Sequence, residues 1–171
     1  PPYFVAGAIF SGLAMVITLC IPLRLIFKLE DYITMENFEG MSKMIILTSC
    51  IVFYAYLIEF FIAWYSGNKY EYDQFLYRAN GDYAFFYWTM MFCNGIVPHA
   101  LWFKKIRNNL VILFIISLLI NVGMWFERFN IIVISLSKEF EPGSWGLYKP
   151  SWVELGITVG SFAWFFMFFL I

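Results

Sequence analysis

Four ionisable side chains in this sequence sit where charge is expensive. Glu59, Glu127, Arg128 and Glu154 each fall within, or at the end of, a long apolar run. A charge at the centre of a helix in hydrocarbon costs about 2.5–3.5 kcal/mol or more, so such groups mark proton or ion paths, ligand contacts or internal ion pairs. Glu59 lies in Ala55-Tyr56-Leu57-Ile58-Glu59-Phe60-Phe61, with Tyr56 one helical turn before it. A carboxyl and a phenol so placed can accept and pass protons. Arg128 could orient an anionic oxygen or hold a nearby acid ionised. Glu127 and Arg128 are adjacent, so on a helix they point in different directions and do not pair with each other. These three charged residues, Glu59, Arg128 and Glu127, are the catalytic candidates. Tyr56, Asn94, Asn121, Glu154, Thr158 and Ser161 are candidates for a ligand contact or a proton path.

Each candidate has a plainer reading beside the chemical one. Glu127 and Arg128 suit structural ion pairs with other helices. Glu154 suits a helix cap, because Ser151-Trp152-Val153-Glu154 is a capping box and follows Pro150. Pro98 opposes the carbonyl of Asn94, and Pro22 that of Thr18, which frees an acceptor for water or simply kinks the helix. His99, near Lys104, suits an interfacial histidine.

The elements that position these groups are helices in a membrane. The chain is 62% hydrophobic and 13% charged over 171 residues, against about half and a quarter in a soluble domain. That much apolar surface has no interior large enough to hide it, so the solvent is lipid. Five apolar segments, at about 3–27, 43–65, 83–103, 110–134 and 152–171, are long enough to span a core of about 30 Å. A spanning segment must satisfy its own backbone, so the fold class is all-α, a polytopic transmembrane helix bundle. Polar residues recur in stripes: Ser11 and Thr18; Thr48, Ser49, Tyr56 and Glu59; Ser117, Asn121 and Arg128; Glu154, Thr158 and Ser161. Such stripes turn toward a bundle interior. The acids and Arg128 fall at a similar depth, so they form one cluster if their helices are neighbours.

Short-loop charge sets the orientation. Arg24, Lys28, Lys43, Lys104, Lys105 and Arg107 lie on one side, and Lys69, Arg78, Lys138 and Lys149 on the other. The positive-inside rule puts loops 28–43 and 104–109 in the cytoplasm of a bacterial inner membrane. Loops 66–82 and 135–151 then face the periplasm. Their aromatics, together with the turn formers of 139–150, suit either a docking surface or an interfacial aromatic belt.

Composition also narrows the function classes. With 11 basic and 12 acidic residues, there is no surplus of positive charge to hold nucleic acid. Cys20, Cys50 and Cys93 lack paired spacing and read as packing residues, with no iron–sulfur or covalent haem motif. One histidine cannot supply two axial haem ligands. No metal or cofactor is expected on this segment. The start without Met and the end inside an apolar run lead us to expect a piece of a longer polypeptide.

Four stretches carry a resemblance to a known family. They are Phe4-Val5-Ala6-Gly7-Ala8-Ile9-Phe10-Ser11-Gly12, Tyr56-Leu57-Ile58-Glu59-Phe60-Phe61-Ile62-Ala63-Trp64-Tyr65-Ser66-Gly67, Asn121-Val122-Gly123-Met124-Trp125-Phe126-Glu127-Arg128-Phe129, and the run Ser144-Trp145-Gly146 to Pro150-Ser151-Trp152-Val153-Glu154. The chain resembles the polysulfide-reductase, or NrfD-like, membrane subunits, and among them the larger such subunit of alternative complex III, a bacterial quinol-oxidising complex. The resemblance implies a second four-helix bundle and a last helix out of eight to ten, with much of the quinol pocket in the other bundle. It implies quinone or quinol as substrate, with iron–sulfur clusters and haems held by partners. Those partners would be an iron–sulfur subunit docked on the outer face, cytochrome c-type subunits, a second homologous membrane subunit and, in some assemblies, a terminal oxidase. Two other classes stay open: a transporter or channel bundle, in which buried acids and broken helices also occur, and a structural anchor for a redox partner.

Overall fold

A computed structural model describes residues 2–134, 146 and 148–170. Apolar residues recurring at three- and four-residue steps build the first helix, α1 (Pro2–Ile26), which turns Ala6, Phe10, Ala14, Ile17 and Ile21 inward. The chain reverses after Lys28, whose left-handed φ of 55° lets the Leu29 N–H reach back to the Arg24 carbonyl. The second helix, α2 (Met35–Tyr65), begins well before the expected 43. The polar stretch Glu36-Asn37-Phe38-Glu39 is helical because Phe38, Ser42, Ile45 and Ile46 continue the inward stripe.

The expected loop 66–82 contains a helix, α3 (Lys69–Asn80). Asn68 caps it by accepting from the Tyr70 N–H at 3.1 Å, Glu71 lies in its first turn and Arg78 in its last. These are ordinary helix signals, and the charges favour both ends of the dipole. Gly81 ends it, and a Cβ there would strike the Tyr77 carbonyl.

The segment expected as a span over 83–103 is a composite. It starts as α4 (Ala84–Met91), widens to a π-helical turn (Phe92–Ile96) and tightens to 3-10 geometry (Val97–Trp102). Pro98 supplies the reason. It has no N–H and its ring crowds the carbonyl four residues back, so regular α geometry cannot pass through it. A single turn, α5 (Lys104–Arg107), leads to α6 (Leu110–Phe129), whose start is capped by Asn109. A second π-helical turn, Asn130–Ile134, extends α6.

Helices α1, α2 and α6 share the main core, with Phe10, Ile17, Phe38, Ile45, Leu113 and Ile120 fully enclosed. A smaller core of Ala6, Val52, Tyr56, Tyr87 and Met90 lies beyond it. The outer faces are apolar too, with Val5, Leu47, Leu57, Val111 and Trp125 about half or more exposed. Helices apolar on both faces require a lipid surround. Among the described residues, four helical stretches are long and apolar enough to cross a membrane: Pro2–Ile26, Met35–Tyr65, Leu110–Ile134 and Trp152–Leu170. The described residues contain no strand, so the fold is an all-α polytopic bundle.

The chain divides into two compact units, Pro1–Ile134 and Ser135–Ile171. The second contains α7 (Trp152–Leu170). Its capping box forms reciprocally: Ser151 N–H donates to Glu154 Oε2 at 2.8 Å, and Glu154 N–H to Ser151 Oγ at 3.3 Å. Most of the loop proposed for docking, 139–145 and 147, lies outside the described residues, as do Lys138 and the Ser144-Trp145 part of the family-like stretch.

Candidate functional site

A carboxyl group is enclosed in the first unit. Glu127 on α6 is 2% exposed. Tyr56 of α2 donates its hydroxyl to Glu127 Oε2 at 2.5 Å. Asn94 of the π-helical turn donates Nδ2 to the same oxygen at 3.3 Å and to the Tyr56 oxygen at 3.1 Å. Tyr3 of α1 sets its ring edge against Tyr56, 6.1 Å between centroids, and brings a second phenol beside the carboxyl. Among the described residues no basic side chain comes within 4.0 Å of this carboxyl. Its donors among the described residues, Tyr56 and Asn94, are neutral, an arrangement that can take up and release a proton without breaking an ion pair.

The local geometry explains how the sequence builds this. The Ser117, Ile120, Met124 and Glu127 steps of three and four put Glu127 on the buried stripe of α6. The widened turn at 92–96 carries Asn94, which is fully buried, into the same space. Such π-turns often sit at functional sites. Gly123 makes room, since a Cβ there would collide with Asn94 Oδ1 and stand 2.6 Å from Cys93 Cβ. Asn94 Oδ1 and Asn130 Oδ1 are both buried with no donor among the described residues. Buried acceptors left in this way are suited to ordered water.

A second feature lies one turn along α2. Glu59 pairs with Arg78 of α3 at 2.5 Å. The pair lines an open cleft of about 380 Å³ between Ala55, Ile58, Ile62 and Ala63 on α2 and Glu71, Gln74 and Phe75 on α3. Tyr87 lies within electrostatic reach of the pair and packs in the core that holds Tyr56.

The remaining candidates fall elsewhere. Arg128 lies on the outer surface, its guanidinium 5.8 Å from the Phe4 ring centroid, while its neighbour Glu127 points inward. The expected single cluster is therefore divided, with Glu127 inside and Glu59 half-exposed beside α3. Asn121 donates to Thr18 at 3.1 Å, tying α6 to α1. Glu154, Thr158 and Ser161 are exposed within the second unit, where Thr158 and Ser161 bond back to their own helix. At the other end, the basic run Lys104–Arg107 gains an acid from a distant part of the chain: Arg107 lies 3.6 Å from Glu39, which also pairs with Lys43 at 3.1 Å. Sequence reasoning passed over Arg78, Gly123, Asn130 and Tyr3. Only Gly123, a poor helix former inside an apolar helix, carried a local signal.

The family described as Polysulphide reductase, NrfD, matches residues 1–137 of the 171. The chain belongs to the NrfD family. The matched stretch takes in the whole of the first unit, including the Glu127 site and the α2–α3 cleft. No curated protein matches the chain. NrfD proteins are multi-pass membrane subunits of quinone-interacting redox complexes, and they typically partner with iron–sulfur subunits. Among the described residues, no three His, Cys, Asp or Glu side chains converge as a metal site, and the three cysteines are free thiols.

Proposed function

We propose that this NrfD subunit takes part in quinol oxidation, of the alternative complex III type, and that Glu127, Tyr56 and Asn94 handle the protons. Oxidation of a quinol breaks two O–H bonds and yields a quinone, two protons and two electrons. The electrons need an acceptor, which this reading assigns to an iron–sulfur cluster in a partner on the periplasmic side. The protons need a base out of contact with bulk water. A carboxyl 2% exposed, held by donors from α2 and the 92–96 turn, supports that role. Glu127 takes the protons one at a time through the Tyr56 hydroxyl and releases each toward the orphan Asn94 and Asn130 oxygens. Glu59 and Arg78 lie on the substrate side of this relay.

The purified complex carrying Glu127→Gln tests it. Glutamine keeps the shape and much of the hydrogen bonding but cannot take the proton. General acid–base steps contribute about 10²–10⁴-fold, so quinol oxidation is expected to fall at least about a hundredfold while a quinone analogue still binds. Full turnover in this variant would leave the subunit as a membrane anchor for its redox partner.

A further inference from the structure

We infer that the cleft between α2 and α3 is the slot for a quinone-class headgroup, and that Arg78 positions the ring within it. This deepens the quinol reading above and rests on it. Residues 55, 58, 59 and 62 form one stripe of α2, and 71, 74, 75 and 78 form the facing stripe of α3. Between them lies a space of about 380 Å³, inside the range of about 300–1,000 Å³ typical of small-molecule sites. Ala55, Ile58, Ile62 and Ala63 of α2 and Phe75 of α3 give it apolar surface, and Glu59, Glu71, Gln74 and Arg78 give it polar groups, with Glu59 and Arg78 paired. A flat ring with polar oxygens needs that combination: apolar faces, one donor and one acceptor.

Charge chooses between headgroups. Two carboxylates, Glu59 and Glu71, and one guanidinium line the cleft. That balance repels the phosphate of a phospholipid and accepts a neutral ring. Access is open, because Ile62 is 52% exposed and the Glu59 side chain 56% exposed. Arg78 spends Nη1 on Glu59, while its Nε–H has no acceptor among the described residues. A guanidinium has five donors, so Arg78 can hold Glu59 and a ring oxygen together.

The cleft is also placed to deliver protons. Glu59 is one turn from Tyr56, and Phe60 stands between the cleft and the buried core, 4.7 Å from Phe75 and 6.4 Å from Tyr87 between ring centroids. A ring held at Arg78 would have its oxygen beside Glu59 and the Tyr56–Glu127 relay one layer in.

An azido-quinone photolabelling experiment on the purified complex tests this, combined with Ala63→Phe, which fills the cleft, and Arg78→Lys, which keeps the charge but not the planar fork. The label is expected in the peptides spanning 55–78. Ala63→Phe should weaken quinone-analogue binding at least tenfold. Arg78→Lys should raise KM more than it lowers kcat, as loss of ring positioning predicts. Labelling elsewhere, with analogue affinity unchanged in both variants, overturns the cleft. If Glu127→Gln still abolishes turnover in that case, the proton role stands without it. A complex that neither binds nor oxidises quinones overturns both.

Discussion

The Tyr56 hydroxyl is the sharpest single handle on the buried site. Tyr56→Phe removes one oxygen and keeps the ring, so the edge contact with Tyr3 at 6.1 Å survives. Glu127 loses its 2.5 Å donor and keeps Asn94 at 3.3 Å. Asn94 loses one acceptor and retains Glu127 and Met124. Two hydrogen bonds are lost, and the one to the ionisable Glu127 in a dry setting is worth about 1.5–3 kcal/mol. If that loss falls on the proton-accepting step, the rate drops by roughly tenfold to 150-fold, at about 1.4 kcal/mol per decade. Single-turnover quinol oxidation by the purified complex is the assay. Tyr54→Phe, a phenol 64% exposed on the same helix, is the matched control. The slow variant should also show a changed solvent-deuterium isotope effect, which lost packing alone would not produce. Equal rates and isotope effects for Tyr56→Phe and Tyr54→Phe would refute the reasoning.

Two further outcomes follow from the geometry. Gly123→Ala drives a methyl into Asn94 Oδ1 and against Cys93, an overpacking cost of about 1–3 kcal/mol, whereas Gly7→Ala meets only the flexible end of Met124 at 3.6 Å; thermal melting of the two variants should separate them, and equal melting temperatures would contradict the close approach. Outside the spanning helices, the hydrogen bond to Glu154 at 2.7 Å holds the Tyr148 phenol above its ordinary value. A raised value means the bond is intact below about pH 10, the usual tyrosine range, and is lost as pH rises through the shifted value. Ultraviolet titration, taken as a difference against Tyr148→Phe, should show tyrosinate forming late, and Glu154→Gln should bring it earlier.

The sequence by itself determined the solvent, the all-α class and the family. These follow from runs of apolar residues and from stretches such as Trp125-Phe126-Glu127-Arg128-Phe129, where each residue contributes locally. The Ser151–Glu154 cap was legible for the same reason, because its bonds span three residues. The caps of α3 were equally local, in Asn68, Glu71 and Gly81, but the polar composition of 66–82 made the stretch read as a loop. Only the tertiary structure decided which ionisable groups meet. Glu127 and Arg128 differ by one position, about 100° around a helix, and that rotation buries one and exposes the other. Periodicity fixes the angle between neighbouring side chains, but not which angle faces the core. That choice depends on where α1, α2 and the 92–96 turn pack against α6. The same holds for Glu59, whose partner Arg78 is nineteen residues away on a separate helix. Contacts of that kind depend on helix placement, which no local spacing encodes.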